Sequence, residues 1–433
     1  MNSPTPQDRP GMARMRRTID PGLSGDTRAP AGAPKRKAIV RLASFAPLLA
    51  GVAIGIADGV QAQTSCPGAE EIAAGLDAPL GIARTPLGNL LVSESGAATN
   101  DGRVSIVSPD GATRRLLSGL PSGVNDVGGR SGPAGVFMRG RTLYVAIGIG
   151  DTIRQGPVPG SALPNSNPSS PIFSSVLAVH FSANVEKTTT GFALSLADQH
   201  ALATGQRVTL SNGGGETISI ELVANFPDFV PRPEFPIPGI VRGSNPFDLV
   251  VDANHAYVTD GGRNLTFKVD LSTGRFSELA AFANIANPFP FGPPSVEAVP
   301  TGIAESNGSL LVALFRGAPF PPGGSVIESI DPATGTNAPF IGGLKTAIDV
   351  VAINSRPGTE HLVLQYDSFA GPFFGAPGRV LRYRSPAMAP ELINDCLATP
   401  TSMAFDERGG RLYATEEGLA PGLGRVVAIS VQP

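Results

Sequence analysis

Tryptophan is absent from the 433-residue sequence, and cysteine and histidine are scarce, with two and four residues. Two cysteines are too few for a disulfide-rich miniprotein or a cysteine-based zinc site, and four scattered histidines argue against a histidine-rich metal centre. Charged residues make up only 16% of the chain, and the formal net charge is −3. A general nucleic-acid binder needs a strongly basic surface, so the composition argues against a nucleic-acid partner.

Glycine and proline, by contrast, are abundant, with 53 and 42 residues. Such a content without a collagen-like triplet is typical either of disorder or of an all-β fold with many turns. Because apolar residues still make up 41% of the chain, we favour the all-β interpretation.

The N-terminal residues predict export. Residues 1–34 have no hydrophobic periodicity and are expected to be disordered, or to result from an over-extended gene start. Residues 35–62 predict a signal peptide, because basic residues at 35–37 precede an apolar run over 42–57 and a small-x-small pattern at 60–62. Cleavage near Ala62 would give a secreted or periplasmic chain without a membrane partner. An uncleaved anchor is the alternative.

One sequence unit recurs six times in the rest of the chain. Each copy has an apolar segment with a small or short residue at its third position, then a turn, a second apolar strand and a third, alternating strand. The copies begin at Pro79, Pro133, Pro246, Pro300, Ala347 and Pro400. A period of about 50 residues with four antiparallel strands is typical of a β-propeller blade.

The predicted fold is therefore all-β, a six-bladed β-propeller of four-stranded antiparallel blades over residues 63–433. Residues 70–75 precede the first copy, so we expect this strand to complete the last blade and close the ring. The second and third copies lie 113 residues apart, which we interpret as one blade with inserted segments near residues 150–218. The chain is expected to be a monomer.

The two cysteines flank this predicted closure. Cys66 lies just before the closing strand, and Cys396 lies just before the last copy. In an exported protein two cysteines are expected to pair, which here would connect the two ends of the ring. Two unpaired thiols are the alternative.

Four segments carry a resemblance to a known family. Residues 132–150, 244–270, 297–335 and 400–418 resemble the ScyD/ScyE family, a set of exported bacterial propeller proteins distantly similar to NHL-repeat and gluconolactonase-type propellers. The most specific element is the sequence PFPPG at residues 319–323. The family name implies a link to scytonemin gene clusters, but membership implies no established reaction.

Propellers bind ligands at one mouth of the central channel, through the loops that enter the innermost strands and those between the second and third strands. Gluconolactonase-like propellers hold a divalent cation there, whereas none of the six residues after the repeat starts is acidic or an amide. We therefore expect no metal or other cofactor. If a cation such as Ca²⁺ binds, the predicted ligands are Asn245, Glu297 and Asp126. Capping of loop backbone is the alternative role of these residues.

Aromatic residues form the second candidate cluster. Phe315, Arg316 and Phe320 follow the second strand of the fourth copy, and Phe373 occupies the corresponding loop of the fifth. Aromatic side chains with one arginine predict a binding surface for an apolar or aromatic partner. The alternative is that these loops pack together and seal the channel.

Three functions remain open. The first is a binding module for a small molecule or a protein at the channel mouth, without catalysis. The second is a metal-dependent lactone or ester hydrolase of gluconolactonase type. The third, which the resemblance alone implies, is an accessory role in scytonemin-like secondary-metabolite assembly. No catalytic residue is predicted.

Overall fold

The computed structural model describes residues 66–354 and 358–431. The predicted disordered N-terminus (1–34), the signal peptide (35–62) and its cleavage site lie outside the described residues. No helix within the described ranges is long and apolar enough to cross a membrane.

Strands dominate the described residues, beginning with β1 (Ala69–Leu76). The first sheet follows as β2 (Pro79–Arg84), β3 (Leu90–Glu94), β4 (Gly102–Val107) and β5 (Thr113–Leu120). A short pair, β6 (Gly123–Val124) and β7 (Arg130–Ser131), leads to the second sheet, which is formed by β8 (Pro133–Arg139), β9 (Thr142–Ile147), β12 (Ser175–Phe181) and β15 (Thr217–Asn225).

Additional elements interrupt the second sheet. Before β12 lie β10 (Ile153–Gln155) and β11 (Ala162–Pro164); after it lie α1 (Val185–Thr188), β13 (Phe192–Ala193), α2 (Leu196–Ala203) and β14 (Val208–Ser211). The segment after β15 contains β16 (Phe229–Pro231) and β17 (Val241–Gly243).

The remaining sheets follow in regular order. The third is β18 (Pro246–Val251), β19 (His255–Asp260), β20 (Leu265–Asp270) and β21 (Phe276–Ala281), followed by the pair β22 (Ile285–Ala286) and β23 (Ser295–Val296). The fourth is β24 (Pro300–Ser306), β25 (Ser309–Leu314), β26 (Ser325–Ile330) and β27 (Asn337–Leu344). The fifth is β28 (Ala347–Asn354), β29 (Thr359–Gln365), β30 (Gly378–Tyr383) and β31 (Glu391–Leu397). The sixth begins with β32 (Ser402–Asp406), β33 (Arg411–Glu416) and β34 (Gly424–Ser430).

The N-terminal strand completes the sixth sheet. β1 pairs antiparallel with β34, and Glu71 lies opposite Val427 while Ala73 lies opposite Val426. Cys66 forms a disulfide with Cys396 in β31, the fourth strand of the fifth sheet, with a Cα–Cα distance of 5.4 Å. The start of the described chain is thus attached to both of its last two sheets.

Apolar residues fill the space between successive sheets. In β25, Leu310, Val312 and Leu314 pack towards the third sheet, whereas Leu311 and Ala313 pack towards the fifth. Successive side chains of a strand point to opposite faces, so a strand covered on both faces must be apolar at nearly every position. This explains the continuous apolar runs that mark the repeats.

The first strands of the six sheets contact one another in chain order, and the first strand of the sixth sheet contacts that of the first. Short residues occur at their third position because the neighbouring strand approaches closely. A Cβ atom on Gly135 or Gly302 would collide with the carboxylates of Asp248 and Asp349, respectively.

Asp248 and Asp349 connect neighbouring first strands. Asp248 Oδ2 accepts a hydrogen bond from Ile303 N (3.0 Å), and Asp349 Oδ2 accepts one from Met403 N (2.8 Å). Burial and the charge of Asp349 hold the pKa of Asp248 well above its usual range, and burial raises the pKa of Asp349 to about 7. Both carboxyl groups therefore have a structural role, because each binds a backbone amide of the neighbouring first strand.

The inserted segments form structure of their own. β14 and β15 form a hairpin, and β13 pairs in parallel with β5, so part of the insertion covers the outer edge of the first sheet. β10, β11, β17 and β16 form a separate small sheet. This sheet includes residues 229–243, so the additional structure does not end at the expected residue 218.

Candidate functional site

A cavity of about 410 Å³ opens where the six first strands begin. The second residue of every repeat lines it: Leu80, Ala134, Phe247, Thr301, Ile348 and Thr401. The segments that enter the first strands and the loops between second and third strands form the rest of its wall. Every one of the six sheets thus contributes to one concave site.

Buried carboxylates fix several of the entering segments. Glu94, Asp260 and Glu416 occupy the last position of the second strand in their sheets. Each accepts a hydrogen bond from the backbone of the entering segment, and the donors are Asp77 N (2.6 Å), Asn245 N (2.8 Å) and Ala398 N (2.7 Å). Burial raises the pKa of all three carboxyls, to about 7 for Glu94. Carboxyl groups at equivalent positions of three sheets thus hold their entering segments in place through the same kind of hydrogen bond.

Aromatic rings form one side of the cavity. Phe320 and Phe374 stack with their ring centroids 4.3 Å apart, and Tyr366 packs on Phe374 at 5.1 Å. Phe315 contacts Phe320, Tyr366 and Phe374 edge-on. Burial raises the pKa of Tyr366 to about 12, so this phenol stays neutral at physiological pH. These four residues, which we call the aromatic wall, offer a surface for an apolar or planar ligand.

The loops that carry the aromatic wall have an unusual backbone. Arg316, Phe320 and Phe373 have positive φ angles of 72°, 54° and 61°, in the region that favours glycine. Such conformations cost about 1 kcal/mol or more and persist only where the surroundings enforce them. The surrounding structure therefore holds these three residues in backbone conformations that residues with large side chains seldom adopt.

Contacts between the two loops enforce this conformation. Phe373 N donates a hydrogen bond to Pro319 O (2.8 Å). The Lys345 ammonium donates to the carbonyl oxygens of Gly371 (2.6 Å) and Phe373 (2.7 Å), and burial lowers the pKa of Lys345. The carboxylate of Asp367 accepts hydrogen bonds from Phe369, Gly375 and Ala376. The aromatic wall is thus organised before any ligand binds.

Five of the residues singled out from the sequence line the cavity together: Asn245, Glu297, Phe315, Arg316 and Phe320. Asp126 and Phe373 are not among its lining residues. Asp126 is half-buried nearby in the chain, and burial raises its pKa. Phe373 is 38% exposed and stacks with Phe291 outside the cavity, while the next residue, Phe374, enters the aromatic wall.

The structure adds residues that the sequence did not single out. Arg130, Tyr366, Phe374 and Leu419 line the cavity. The repeat pattern could have indicated Tyr366, because it follows the second strand of the fifth copy just as Phe315 does in the fourth. Arg130 follows no repeat feature and lies in the short strand β7.

The polar residues of the cavity differ in their existing partners. Glu297 forms an ion pair with Arg242 at 3.1 Å. Asn245 Oδ1 accepts hydrogen bonds from Ile149 N (3.0 Å) and, more weakly, from Ser131 Oγ (3.4 Å). Two of the three residues considered as cation ligands therefore already bind protein groups. Across the described residues, no group of three or more His, Cys, Asp or Glu side chains is close enough to hold a metal ion.

No protein-family model matches the chain, and no curated protein matches its sequence. The ScyD/ScyE resemblance therefore stays a prediction.

Solved structures do resemble it. The PQQ-bound aldose sugar dehydrogenase of Streptomyces coelicolor has 14% sequence identity and a TM-score of 0.47, covering 85% of this chain and 100% of its own. A gluconolactonase of Xanthomonas campestris has 14% identity and a TM-score of 0.44, covering 83% and 89%. Streptogramin B lyase has 13% identity and a TM-score of 0.40, covering 84% and 97%. With TM-scores below 0.5, these similarities carry no argument about the function of this chain.

Proposed function

We propose that the six sheets are the blades of an exported, ring-closed β-propeller of the ScyD/ScyE type, which binds a small organic molecule in its mouth cavity. The observation that carries this proposal is the single cavity to which all six sheets contribute, with the aromatic wall on one side. Its volume of about 410 Å³ lies within the range usual for small-molecule sites.

The organisation of the wall favours binding over a purely structural role. If the loops only sealed the channel, Phe315, Phe320, Tyr366 and Phe374 would fill it, yet an open cavity remains beside them. A pre-organised pocket loses little conformational entropy when a ligand binds, which favours affinity. Among the described residues that line the cavity, no serine or threonine hydroxyl is hydrogen-bonded to a His, Asp or Glu side chain that could act as a base, so we propose binding without catalysis.

Phenylnaphthylamine, an uncharged aromatic fluorophore, tests this proposal. We expect saturable binding at one site per chain, and Phe374→Ala should weaken it about three- to tenfold by removing one stacking surface. Leu419→Trp should weaken it as well, because Leu419 is 51% exposed at the rim and a larger side chain there narrows the entrance. Equilibrium fluorescence titration measures both effects.

The matched control is Leu392→Ala, which truncates an exposed apolar side chain that does not line the cavity. It should leave the dissociation constant unchanged, and thermal unfolding should show that all variants are folded. Binding that is not saturable, or that responds equally to all three substitutions, would refute a ligand site at the mouth.

The hydrolase alternative makes a different prediction. It requires a bound cation and turnover of a lactone or ester, and Glu297→Gln should abolish both. Assays of a lactone panel with calcium present would reveal such an activity. An accessory role in scytonemin-like assembly would be supported by the neighbouring genes.

A further inference from the structure

Of the charged side chains that line the mouth cavity, the negative one has an ion-pair partner among the described residues and the positive ones do not. Arg130, Glu297 and Arg316 line it. The one carboxylate, Glu297, already pairs with Arg242, which lies outside the set of lining residues. By contrast, neither Arg130 nor Arg316 forms an ion pair within 4.0 Å with any described residue. The cavity wall therefore has an excess of positive charge.

Arg316 is a buried cation that no described carboxylate contacts. It is only 5% exposed. Its Nε donates to Gly324 O (2.9 Å) and its Nη1 donates to Ala283 O (3.1 Å), while no described residue binds Nη2. Two carbonyl oxygens orient the guanidinium but do not neutralise it. Glu328 attracts the guanidinium from beyond ion-pair distance, and burial lowers the pKa of Arg316 despite this attraction. Burying a cation that no carboxylate contacts is costly, so an anion in contact with Arg316 would be favoured.

Arg130 is available for a ligand in the same way. It is half-buried in β7, and no hydrogen bond joins its side chain to the described residues. A guanidinium presents five N–H donors in a planar fork, which suits carboxylate or sulfonate oxygens. A cationic ligand would be repelled by both arginines, and a neutral one would leave their charges uncompensated.

From these contacts we infer that the ligand of the mouth cavity is a small aromatic anion, whose rings lie on the aromatic wall and whose negative group binds the guanidinium groups of Arg130 and Arg316. The inference rests on the proposed function, because it names the chemical class of the molecule that occupies the same site. It adds a requirement for negative charge that the aromatic wall alone does not impose.

Two fluorescent probes separate the contributions of charge and ring. Anilinonaphthalene sulfonate has the ring system of phenylnaphthylamine plus one sulfonate. At low salt we expect anilinonaphthalene sulfonate to bind about tenfold more tightly than phenylnaphthylamine. This difference in affinity should decrease as salt is added. Arg130→Met should weaken binding of the sulfonate about tenfold and change binding of the neutral probe less than about twofold.

The variants are chosen to keep the protein folded. Arg130 has no side-chain partner among the described residues whose loss could destabilise the fold, and Arg130→Lys should restore part of the affinity for the sulfonate. Arg275→Met removes an exposed arginine that does not line the cavity and should affect neither probe.

The outcomes distinguish the inference from the proposed function. If both probes bind at the mouth but Arg130→Met weakens them equally, or the sulfonate binds no better than the neutral probe, the anion requirement is wrong and the ligand site remains. If neither probe binds saturably, both are wrong. Selective loss of sulfonate binding supports both.

Discussion

Replacing both cysteines by serine, as Cys66→Ser with Cys396→Ser, is expected to lower the free energy of unfolding by about 3–5 kcal/mol. The disulfide joins residues 330 positions apart, so it restricts nearly the whole described chain in the unfolded state. In the chain-entropy account, stabilisation grows with the length of the closed loop.

The position of the bond adds to this effect. Cys66 precedes β1, whose one strand partner within the described residues is β34, and Cys396 lies in the outer strand of the fifth sheet. Without the bond, β1 would remain an edge strand near the start of the described residues, and its separation from β34 would be the easiest local opening. Early exposure of the Glu71 and Ala73 amides should accompany the loss of stability.

Urea denaturation and hydrogen exchange measure the two effects. The single variants should match the double variant, because either substitution removes the same bond. Reduction of the unmodified protein should lower its stability to the same level, while the double variant should not respond to reductant. A double variant within about 1 kcal/mol of the unmodified protein would show that the disulfide does not stabilise the closure.

Much of the strand architecture was predictable because the inner strands of the sheets are covered on both faces. The segments beginning at Pro79, Pro133, Pro246 and Pro300 are first strands of their sheets, as the repeat indicated. The predicted number of blades and the closure of the ring remain proposals. Even so, the pairing of β1 with β34 follows the expected arrangement.

The inserted segments were less predictable because no repeat constrains them. α2 begins after Ser195, whose side chain accepts a hydrogen bond from Asp198 N, while Asp198 in turn binds Ser195 N. This capping box is visible in the sequence as a serine three residues before an acid, yet it could be read as a turn. The pairing of Ala162 with Val241 in the small sheet could not be inferred, because a long segment that contains β12 to β16 and both helices separates the two residues along the chain.

The candidate site was predictable by region but not by side chain. Repeat positions located the mouth loops, and five of the named residues line one cavity. Phe373 has a positive φ angle of 61°, and the side chains of Phe373 and Phe374 contact different rings, Phe291 and Phe320 respectively. Spacing along the sequence does not reveal such a backbone conformation, since residues other than glycine seldom adopt it.

Asp349→Asn is expected to make the protein more stable than the unmodified chain at alkaline pH. Burial raises the pKa of Asp349 from 3.8 to about 7. A carboxyl with a raised folded-state pKa stabilises the fold below its unfolded-state pKa, and this contribution is lost as the pH rises through the folded-state value. Stability should therefore fall between about pH 4 and pH 7, by about 1.4 kcal/mol for each pH unit over which the group titrates.

The amide removes this dependence while keeping an acceptor for Met403 N. At pH 8 the variant should exceed the unmodified protein by about 2–4 kcal/mol, and near pH 4 the two should agree within about 1 kcal/mol. Some slope should remain in the variant, because burial also raises the pKa of Glu94 to about 7 and that of Asp228 to about 6. The pKa of Asp248 should decrease as well, since the charge of Asp349 contributes to its elevation.

Asp270→Asn provides a control of opposite sign. Hydrogen bonds from Ser272 and Thr273 lower the pKa of this exposed carboxyl to about 2, so its stabilising effect is present above its unfolded-state pKa and is lost in acid. The control variant should therefore gain nothing at pH 8. Urea denaturation of the three proteins from pH 4 to pH 9 makes the comparison. If Asp349→Asn is no more stable than the unmodified protein at pH 8, the Asp349 carboxylate must be accommodated in its ionised form, and the hydrogen bonds from Ser402 and Met403 would then outweigh its burial.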